Sequence, residues 1–477
     1  MTELPPREPS PVFVTVPGSV TYRLTPGSTT FRQPLDCSGA DRSVVHLTTI
    51  NSEDMIREAL TTRLEADLLI PGSGEPIRNG CVVFEGSTIL YAGPVEGAPR
   101  GTPSDTTVGV PVVLPGLWDA HTHFLGVRGF DLQEQVYTTP WVAVARAVQD
   151  ARRALESGFT SVRELGGLGI YIARAINEGS IPGPHVYASG GALSQTGGHG
   201  DAHAFPIEYV RRQRELFGMP GPCDGVSACI EAVRSVLRLG ADVIKVYASG
   251  GLLSYQDSPV HQQFSDDELN AMVAEARRAD RVVAAHCHGA AGIAAAIRAR
   301  VHTIEHGTYL DDEMADSMRE RAMMLVPTRM IIAELASLGP ESKLNERVLA
   351  KARSVLDQHQ RALRLAVRKG VAIALGTDIA CSQGKGGMVW GSHGKELRLL
   401  VEEGGMTPLQ AIEAATANGP RTLGPQAPNS GQLAAGYPAD ILVVSDDPLR
   451  EIDVLAQPGK ILYVWKDGKR VAGARRD

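Results

Sequence analysis

The middle of the chain alternates short apolar runs with amphipathic stretches, and this order predicts a parallel sheet. Alanine-rich stretches with helical periodicity, such as 143–156, 266–279 and 291–300, separate the apolar runs. Such alternation is typical of βαβ units, in which each helix returns the chain to the start of the next parallel strand. The eight apolar runs end at residues 121, 165, 191, 249, 286, 306, 328 and 378. Eight units over roughly 270 residues predict a closed (β/α)8 TIM-type barrel.

Two flanking segments show a different pattern, with short alternating strands broken by turns. The segment 61–113 contains Gly-Cys-Val-Val-Phe-Glu-Gly, and the segment 425–477 contains Ile-Leu-Tyr-Val-Trp-Lys-Asp-Gly. Runs of this kind are typical of a small antiparallel sheet. We therefore expect the two segments to form the halves of one β-sandwich around a barrel over 114–424. Residues 1–60 are expected to form an N-terminal extension with strand-like pieces such as Val-Phe-Val-Thr-Val.

Composition and charge narrow the classes of function. The 477 residues are 43% hydrophobic, with a formal net charge of −7 and a pI of about 6.0. No long basic block occurs, so nucleic-acid binding has no electrostatic support. The N-terminus shows no basic segment followed by an apolar one, and no run of roughly 18 apolar residues occurs, so we expect a soluble cytoplasmic protein without a membrane partner. The six cysteines are scattered, which favours reduced thiols.

Residues of the types that bind metals lie at the ends of the predicted strands. His121 and His123 close the first strand as His-Thr-His, and alternate residues of a strand face the same side. Strands four, five, six and eight carry Lys245, His286, His306 and Asp378 at or near their ends. A single His-x-His triplet is weak evidence, because histidines also serve solvated and core positions. The whole set lies at the edge where barrel enzymes build their active sites, and it predicts a metal centre.

Lys245 has two interpretations, because an ammonium group cannot bind a cation. It could form an ion pair with Asp378 or Glu164 inside the barrel. Alternatively, its amine could react with carbon dioxide to give a carbamate, an anion able to bridge two metal ions. Burial beside cations lowers the pKa of a lysine and supplies the neutral amine that this reaction needs.

Several motifs around these residues resemble those of the amidohydrolase superfamily. They are Asp119-Ala120-His121-Thr122-His123, Val243-Ile244-Lys245-Val246, His286-Cys287-His288-Gly289, Ile304-Glu305-His306-Gly307 and Gly376-Thr377-Asp378. The resemblance extends over nearly the whole chain from about residue 66. Within the superfamily the chain is most similar to the ochratoxinase and prolidase-like branch, which is related to imidazolonepropionase.

The resemblance implies a cofactor of two divalent metal ions. One ion is expected on His121, His123 and Asp378 and the other on His286 and His306, with carboxylated Lys245 bridging them. Zinc is the expected ion, because imidazole-rich sites with carboxylates suit it. Relatives of this kind commonly form homo-oligomers, so a homo-oligomer is expected here too.

The implied reaction is hydrolysis of the amide bond of an N-acyl amino acid or dipeptide-like substrate with a free carboxylate. Ochratoxin A is one candidate. A hydroxide generated between the two ions would attack the carbonyl, Asp378 would pass its proton to the leaving nitrogen, and His288 would donate to the developing oxyanion. The expected carboxylate-binding residues are Tyr247, His199 and Arg329. Each has an alternative role: hydrogen bonding at the barrel mouth, fixing a loop, or forming a surface salt bridge.

The glycine-rich stretch 379–395 is expected to shape the substrate pocket through Trp390 and His393. Two alternative functions stay open at this point. A cyclic-amide hydrolase of the imidazolonepropionase type uses a single metal without a bridging lysine, so Lys245 argues against it. A non-catalytic, amidohydrolase-like scaffold usually shows eroded ligands, and here all six are present.

Overall fold

The computed structural model describes residues 12–16, 20–24, 61–101, 106–131, 134–216, 219–342, 344–383 and 388–473. The chain divides into two compact units, Met1–Arg57 and Glu58–Asp477. In the first unit, strands β1 (Val12–Val16) and β2 (Val20–Leu24) pair antiparallel. The strand-like piece expected in the extension is therefore a strand, and the rest of the expected extension lies outside the described residues.

The second unit contains the remaining strands and all helices of the described residues. Its strands are β3 (Thr62–Leu69), β4 (Ile77–Glu85), β5 (Thr88–Pro94), β6 (Thr106–Pro115), β7 (Leu117–Val127), β8 (Phe159–Glu164), β9 (His185–Ala188), β10 (Ile244–Tyr247), β11 (Val283–Cys287), β12 (Thr303–His306), β13 (Met324–Val326), β14 (Ala372–Ile373), β15 (Ile379–Cys381), β16 (Ile441–Val444), β17 (Ile461–Lys466) and β18 (Lys469–Gly473). Its helices are α1 (Glu134–Tyr137), α2 (Pro140–Glu156), α3 (Gly169–Asn177), α4 (Ile207–Leu216), α5 (Val226–Leu239), α6 (Asp266–Arg277), α7 (Ala290–Ala299), α8 (Asp312–Glu320), α9 (Arg329–Ser337), α10 (Glu346–Lys369), α11 (Lys395–Glu402), α12 (Pro408–Ala414) and α13 (Asn418–Arg421). Among these helices none combines the length and the apolarity needed to cross a bilayer.

The eight predicted barrel strands are present as β7 to β14, and all their ladders are parallel. Strands β7, β8 and β9 pair in sequence, and so do β10 to β14. A bridge between Leu193 and Val246 joins the two runs on one side. On the other side the amide of Ala120 donates to the carbonyl of Leu375 at 2.8 Å. The predicted α/β fold with parallel strands is confirmed, and a TIM-type barrel is consistent with it. The ladders form two separate sheets joined by two narrow contacts, whereas the sequence predicted a closed barrel.

Some of the helices, such as α6, begin at a side-chain cap. Ser265 accepts a hydrogen bond from the amide of Glu268, and the Glu268 side chain accepts one from the amide of Ser265, so α6 starts with a capping box. The stretches 143–156, 266–279 and 291–300 correspond to α2, α6 and α7. Their apolar faces pack on the barrel, which keeps the strand ends in place.

The two flanking segments contribute to a single seven-stranded sheet with the order β18-β17-β16-β6-β3-β4-β5. The antiparallel pairing of β6 with β16, in which Val113 is opposite Val443, joins the segments from the two ends of the chain. The pairing of β3 with β6 is parallel, because the chain passes through β4 and β5 before it returns beside β3. The sheet is therefore mixed, whereas the sequence predicted an antiparallel one.

This terminal sheet curls over a core of its own. The rings of Phe84 in β4 and Trp465 in β17 lie 6.2 Å apart, although three strands separate β4 from β17 in the sheet order. Strands are spaced about 4.8 Å apart, so in a flat sheet these two would lie about 19 Å apart. Val113 faces this core, whereas its neighbours Val112 and Leu114 face the core of the barrel. The expected sandwich halves are the opposite walls of one curled sheet.

Replacing Trp465 with alanine tests the importance of this curled core. Trp465 is 8% exposed, and truncating a buried aromatic side chain costs about 3–5 kcal/mol of the free energy of unfolding. We expect a loss of that size, measured by urea denaturation. The control is Leu90→Ala in β5 of the same sheet, where the side chain is 45% exposed and the expected change is about 0.5 kcal/mol or less. Equal losses in the two variants would contradict the curled arrangement.

Candidate active site

The six residues predicted to bind metal lie together at the carboxyl ends of the barrel strands. Asp378 follows β14, and the other five belong to β7, β10, β11 and β12. Four of them and His288 form two overlapping groups, and within each group one nitrogen or oxygen atom per residue lies within 4.8 Å of the others. The first group is His121, His306 and Asp378, and the second is His286, His288 and His306. His306 belongs to both groups, so the two form one continuous cluster.

Asp378 is at the centre of the first group. Its Oδ1 lies 3.0 Å from His123 Nε2 and 3.5 Å from His121 Nε2. Both histidines of the His-Thr-His triplet therefore point to the same carboxylate, as expected for alternate residues of one strand. Burial alone would raise the pKa of Asp378, but His121 and His123 outweigh it and lower the pKa to about 2. The carboxylate is ionised at neutral pH.

The second group consists of closely packed imidazoles. His306 Nε2 lies 2.9 Å from His286 Nδ1, and the rings of His288 and His306 stack with their centroids 4.7 Å apart. Burial, followed by the other histidines packed nearby, lowers the pKa of all three histidines well below the ordinary value. They are neutral at neutral pH, and the neutral ring is the form that binds a metal ion.

Two of the metal-site residues have backbones in the left-handed region. The φ angle is 70° at His306 and 59° at Asp378. Left-handed backbone at a residue other than glycine costs of order 1–3 kcal/mol, and such strain is common where a function requires a particular side-chain direction. The amide of Asp378 donates to the carbonyl of His121 at 2.7 Å, which holds this strained turn against β7.

A buried carboxylate, Glu305, lies behind the first group and was not predicted as a site residue. Its Oε2 accepts a hydrogen bond from His121 Nδ1 at 2.8 Å, and its Oε1 accepts one from Arg163 Nη2 at 2.8 Å. Burial alone would raise the pKa of Glu305, but Arg163 and His121 outweigh it and lower the pKa to about 2. His121 must therefore carry its proton on Nδ1, which leaves Nε2 free to face Asp378. The sequence offered one signal for Glu305, namely a carboxylate directly before His306 in the same strand, β12.

Lys245 lies beside the same histidine. Burial lowers the pKa of its amine to about 8, and its Nζ lies 3.5 Å from His121 Nε2. Among the described residues this is the only hydrogen-bond contact of the amine, and no carboxylate of this part of the chain lies within 4.0 Å of it. The interpretation in which Lys245 forms an ion pair with Asp378 or Glu164 therefore finds no support in the geometry.

A cleft opens above these residues, and two of the predicted substrate-binding residues line it. The ring centroids of His199 and Tyr247 lie 5.0 Å apart, and those of His199 and His286 lie 4.6 Å apart. His199 Nδ1 lies 2.7 Å from Ser254 Oγ, which fixes the ring. Apolar side chains form much of the cleft wall, among them Leu125, Phe130, Val136, Leu253, Ile331 and Val348. The structure thus places His199 and Tyr247 at the cleft, and their role in carboxylate binding stays a prediction.

His288 belongs to the second group but does not line the cleft. It is 2% exposed, it stacks on His306, and its Nδ1 lies 2.7 Å from Thr308 Oγ1. The structure brings His288 to the metal-site cluster, and its predicted donation to the oxyanion stays a prediction.

Arg329 does not reach the cleft, so its prediction as an anion-binding residue was wrong. It begins α9 and is 3% exposed. Its Nε donates to Glu403 Oε2 at 2.6 Å, and its Nη1 donates to the carbonyl of Leu356 at 3.0 Å. The guanidinium is occupied by its ion pair with Glu403. This agrees with the salt-bridge alternative, except that the arginine is buried and only the glutamate is partly exposed.

Trp390 and His393 do not shape the cleft either, contrary to the sequence-based expectation. Trp390 stacks on Phe124 with ring centroids 4.2 Å apart, and His393 Nδ1 lies 2.7 Å from Asp119 Oδ2. Asp119 in turn accepts a hydrogen bond from the amide of His121 at 3.0 Å. Both residues are buried and support β7 from behind. Residues 384–387 of the same stretch lie outside the described residues.

Arg214 in α4 lines the cleft and was missed by sequence reasoning. Its guanidinium donates to the carbonyls of Pro220 at 3.3 Å and Ala192 at 3.5 Å, and also to that of Gly200. Within the described part of the chain it forms no ion pair with a carboxylate. Burial lowers its pKa, but an arginine stays protonated in proteins. Arg214 therefore places a positive charge beside the cleft without a direct ion pair, and the carboxylate of Asp201 on the same cleft lining offsets part of that charge.

The sequence profile of the amidohydrolase family matches residues 112–471. The chain belongs to the amidohydrolase family. It is 43% identical over 429 residues to ochratoxinase from Aspergillus niger, which covers 87% of this chain and 88% of that protein. The crystal structure of A. niger ochratoxinase superimposes with a TM-score of 0.79 at 42% identity and covers 87% of this chain and 96% of that one.

Two further solved structures are similar to this amidohydrolase. A prolidase complexed with N-methylphosphonate-L-proline has a TM-score of 0.78 at 30% identity, with 86% of this chain and 99% of that chain covered. A Xaa-Pro dipeptidase with methionine bound in its active site has a TM-score of 0.76 at 32% identity, with the same 86% and 99% covered. The family and these relatives make the protein a hydrolase of carbon–nitrogen bonds, as the sequence motifs predicted.

The ion pair below the site predicts a specific pattern of stability changes. Glu305→Ala would leave the guanidinium of Arg163, which is 0% exposed, buried without its partner, at a cost of about 3–5 kcal/mol. The double variant Arg163→Met/Glu305→Leu removes both charges together and should lose less than Glu305→Ala alone. Urea denaturation measures both free energies of unfolding. If the double variant is less stable than Glu305→Ala, the buried, unpaired charge of Arg163 is not the main cause of the loss in stability.

Proposed function

We propose that this amidohydrolase holds two divalent metal ions and hydrolyses the amide bond of an N-acyl amino acid or dipeptide-like substrate with a free carboxylate. The observation that carries the proposal is the convergence of the six predicted metal-site residues at one edge of the barrel, with Lys245 next to His121. Ochratoxin A is a candidate substrate, in keeping with the ochratoxinase relative.

The donor set fits two ions of the zinc type. His121, His123 and Asp378 would hold one ion and His286 and His306 the other, with neutral imidazoles and an ionised carboxylate as donors. The amine of Lys245, with a pKa lowered to about 8 by burial, is partly neutral near pH 7. It can add to carbon dioxide with formation of an N–C bond and release of one proton, and the resulting carbamate would bridge the ions.

Bound ions of this kind supply Lewis acidity and make hydroxide available near neutral pH. The protein's own residues transfer the proton and stabilise the oxyanion. Asp378, ionised and directed at the centre of the site, accepts the proton of the attacking water and passes it to the leaving nitrogen, which leaves poorly as an anion. His288, held by Thr308 and stacked on His306, is the proposed donor to the carbonyl oxygen as that oxygen becomes negative.

The cleft supports a substrate with one anionic end. Arg214 contributes a positive charge, and Tyr247 and His199 contribute polar rings beside it. The prolidase relative is complexed with N-methylphosphonate-L-proline, a compound with an amino-acid carboxylate. The apolar wall around Phe130 and Leu253 suits the acyl or aromatic part of the substrate. We therefore propose that Arg214, together with Tyr247 and His199, binds the substrate carboxylate.

The same observations give less support to the two alternative functions. A cyclic-amide hydrolase of the imidazolonepropionase type would not need Lys245 between the histidines. A non-catalytic scaffold would not need six intact ligands with strained backbones at His306 and Asp378. We further propose that the protein forms a homo-oligomer. Analytical ultracentrifugation measures its oligomeric state in solution.

Metal content and carbon dioxide dependence test the two-ion centre. Protein stripped with a chelator should regain activity only when zinc and bicarbonate are both supplied, because the bridge forms from carbon dioxide. Lys245→Ala should lose activity and bind fewer ions at this centre, as measured by mass spectrometry of the metals. The control is Lys369→Ala, which removes a partly buried lysine at the end of α10, paired with Asp316. Full recovery with zinc in buffer freed of carbon dioxide would exclude the carbamate.

A hydrolysis screen identifies the class of amide. Zinc-loaded protein is tested on N-acyl amino acids, on Xaa-Pro dipeptides and on ochratoxin A, each next to its carboxamide-capped analogue. We expect cleavage of at least one carboxylate-bearing class and a large preference over the capped analogue. Cleavage of cyclic amides alone would favour the imidazolonepropionase-type alternative.

Replacing Arg214 tests the assignment of the carboxylate site. Arg214→Met should raise KM for a carboxylate substrate roughly tenfold to a hundredfold, in line with the about 1.5–3 kcal/mol of a hydrogen bond to a charged group. The value of kcat should change little, because this contact is the same in the ground state and the transition state. Arg212→Met, an exposed position of the same helix, is the control. An equal rise in KM for the carboxamide-capped substrate would show that Arg214 only supports the loop.

A further inference from the structure

We propose that the protein has another divalent-cation site, formed by His185, Asp440 and Asp467, at the opposite end of the barrel from the active site. His185 is the first residue of β9, whereas the active site lies at the carboxyl ends of the barrel strands. Asp440 precedes β16, and Asp467 lies in the turn between β17 and β18. The three side chains thus come from the barrel and from two positions of the terminal sheet.

The distances between the donor atoms fit a small ion. His185 Nε2 lies 3.1 Å from Asp440 Oδ2 and 3.6 Å from Asp467 Oδ1, and all three atoms lie within 4.8 Å of one another. Zinc binds nitrogen and oxygen at about 2.0–2.2 Å, so two ligands of a tetrahedral site lie about 3.3–3.6 Å apart. The two measured separations from His185 lie at or near this edge length. A water molecule would complete the fourth position.

Two of the donor atoms are buried and have no hydrogen bond. His185 Nε2 and Asp440 Oδ2 face each other at 3.1 Å, but their geometry does not make a hydrogen bond, and neither atom has another such partner among the described residues. The Asp440 side chain is only 6% exposed. A buried polar atom without a partner destabilises the folded chain. A cation between the two atoms would satisfy both of them.

The ligands are held in place by the sheet without any ion. Asp440 Oδ1 accepts a hydrogen bond from the amide of Asp467 at 2.8 Å, and the amide of Gly468 donates to the carbonyl of Ala439 at 2.9 Å. The φ angles of 49° at Asp467 and 70° at Gly468 are those of a two-residue type I′ hairpin turn. Because one oxygen of Asp440 is used in this way, its other oxygen is directed to His185. Such preorganisation lowers the entropic cost of binding.

One positive group opposes the ion. Lys466 Nζ lies 3.8 Å from Asp467 Oδ2, and its side chain is 13% exposed. It contacts the oxygen of Asp467 that does not face His185, so it reduces the local negative charge without occupying the space between the donors. Two carboxylates and one ammonium leave a net negative charge for a divalent cation, and removing the ammonium should strengthen binding.

An ion at this position would connect the barrel to the terminal sheet. Its ligands are far apart in sequence and converge only in the folded chain, so an ion bound there stabilises the fold by mass action. The site therefore has a structural role, and it does not depend on the proposed reaction.

The test counts zinc ions in the full-length protein. Wild type, Asp467→Asn and His185→Gln are saturated with zinc chloride, freed of excess metal and measured by metal analysis and by thermal unfolding. We expect one ion fewer per chain in each variant and a smaller zinc-induced rise in the unfolding temperature. Asparagine suits the type I′ turn, so Asp467→Asn keeps the hairpin. The same loss should appear in a Lys245→Ala background, which separates this site from the active site.

Two further variants sharpen the result. Asp446→Asn removes another carboxylate of the terminal sheet, one paired with Lys460 at 2.7 Å, and it should leave the ion count unchanged. Lys466→Met should tighten zinc binding at this site by ~tenfold, the size of change that neighbouring groups cause at metal sites. Equal ion counts and equal thermal shifts in wild type, Asp467→Asn and His185→Gln would overturn the proposal and leave a His185–Asp440 ion pair. A loss in Asp446→Asn as large as in Asp467→Asn would overturn it too.

Discussion

The carboxylate of Glu305 is the group on which the arrangement of the active site depends. It lies fully buried between Arg163 and His121, so it is ionised only because both neighbours donate to it. As an ionised acceptor it requires a proton on His121 Nδ1 and leaves Nε2 directed at Asp378 and Lys245. Glu305, which lies behind the site, thereby determines the tautomer of His121 and with it the environment of the Lys245 amine.

The rigid cluster and the cleft above it are built from different parts of the fold. The candidate metal-site residues lie on strands or, for Asp378, between β14 and β15, whereas Arg214 and most of the apolar wall belong to helices and loops between strands. Strand positions vary little because their ladders hold them. Substrate preference can therefore change through α4 and its neighbouring loops while the position of the catalytic groups stays the same.

Much of the barrel and of the metal cluster was predictable, because both depend on local periodicity and on the chemistry of strand ends. His121, His123 and Asp378 meet since alternate residues of one strand face the same side and the last strand is next to the first. Arg214 and Arg329 were not predictable in this way. Both lie near the ends of helices, where the direction of a long side chain depends on tertiary neighbours: Glu403 holds Arg329 inside, and three carbonyls hold Arg214 at the cleft.

The pairing of β6 with β16 has a consequence for synthesis of the chain. The strands β3 to β6 leave the ribosome early, but their partner strands are made only after the whole barrel has been translated. Until then β6 presents an unpaired edge, and edges of this kind attract other chains. Anything that covers this edge until the last strands emerge, such as a chaperone, would keep the nascent chain from pairing with other chains.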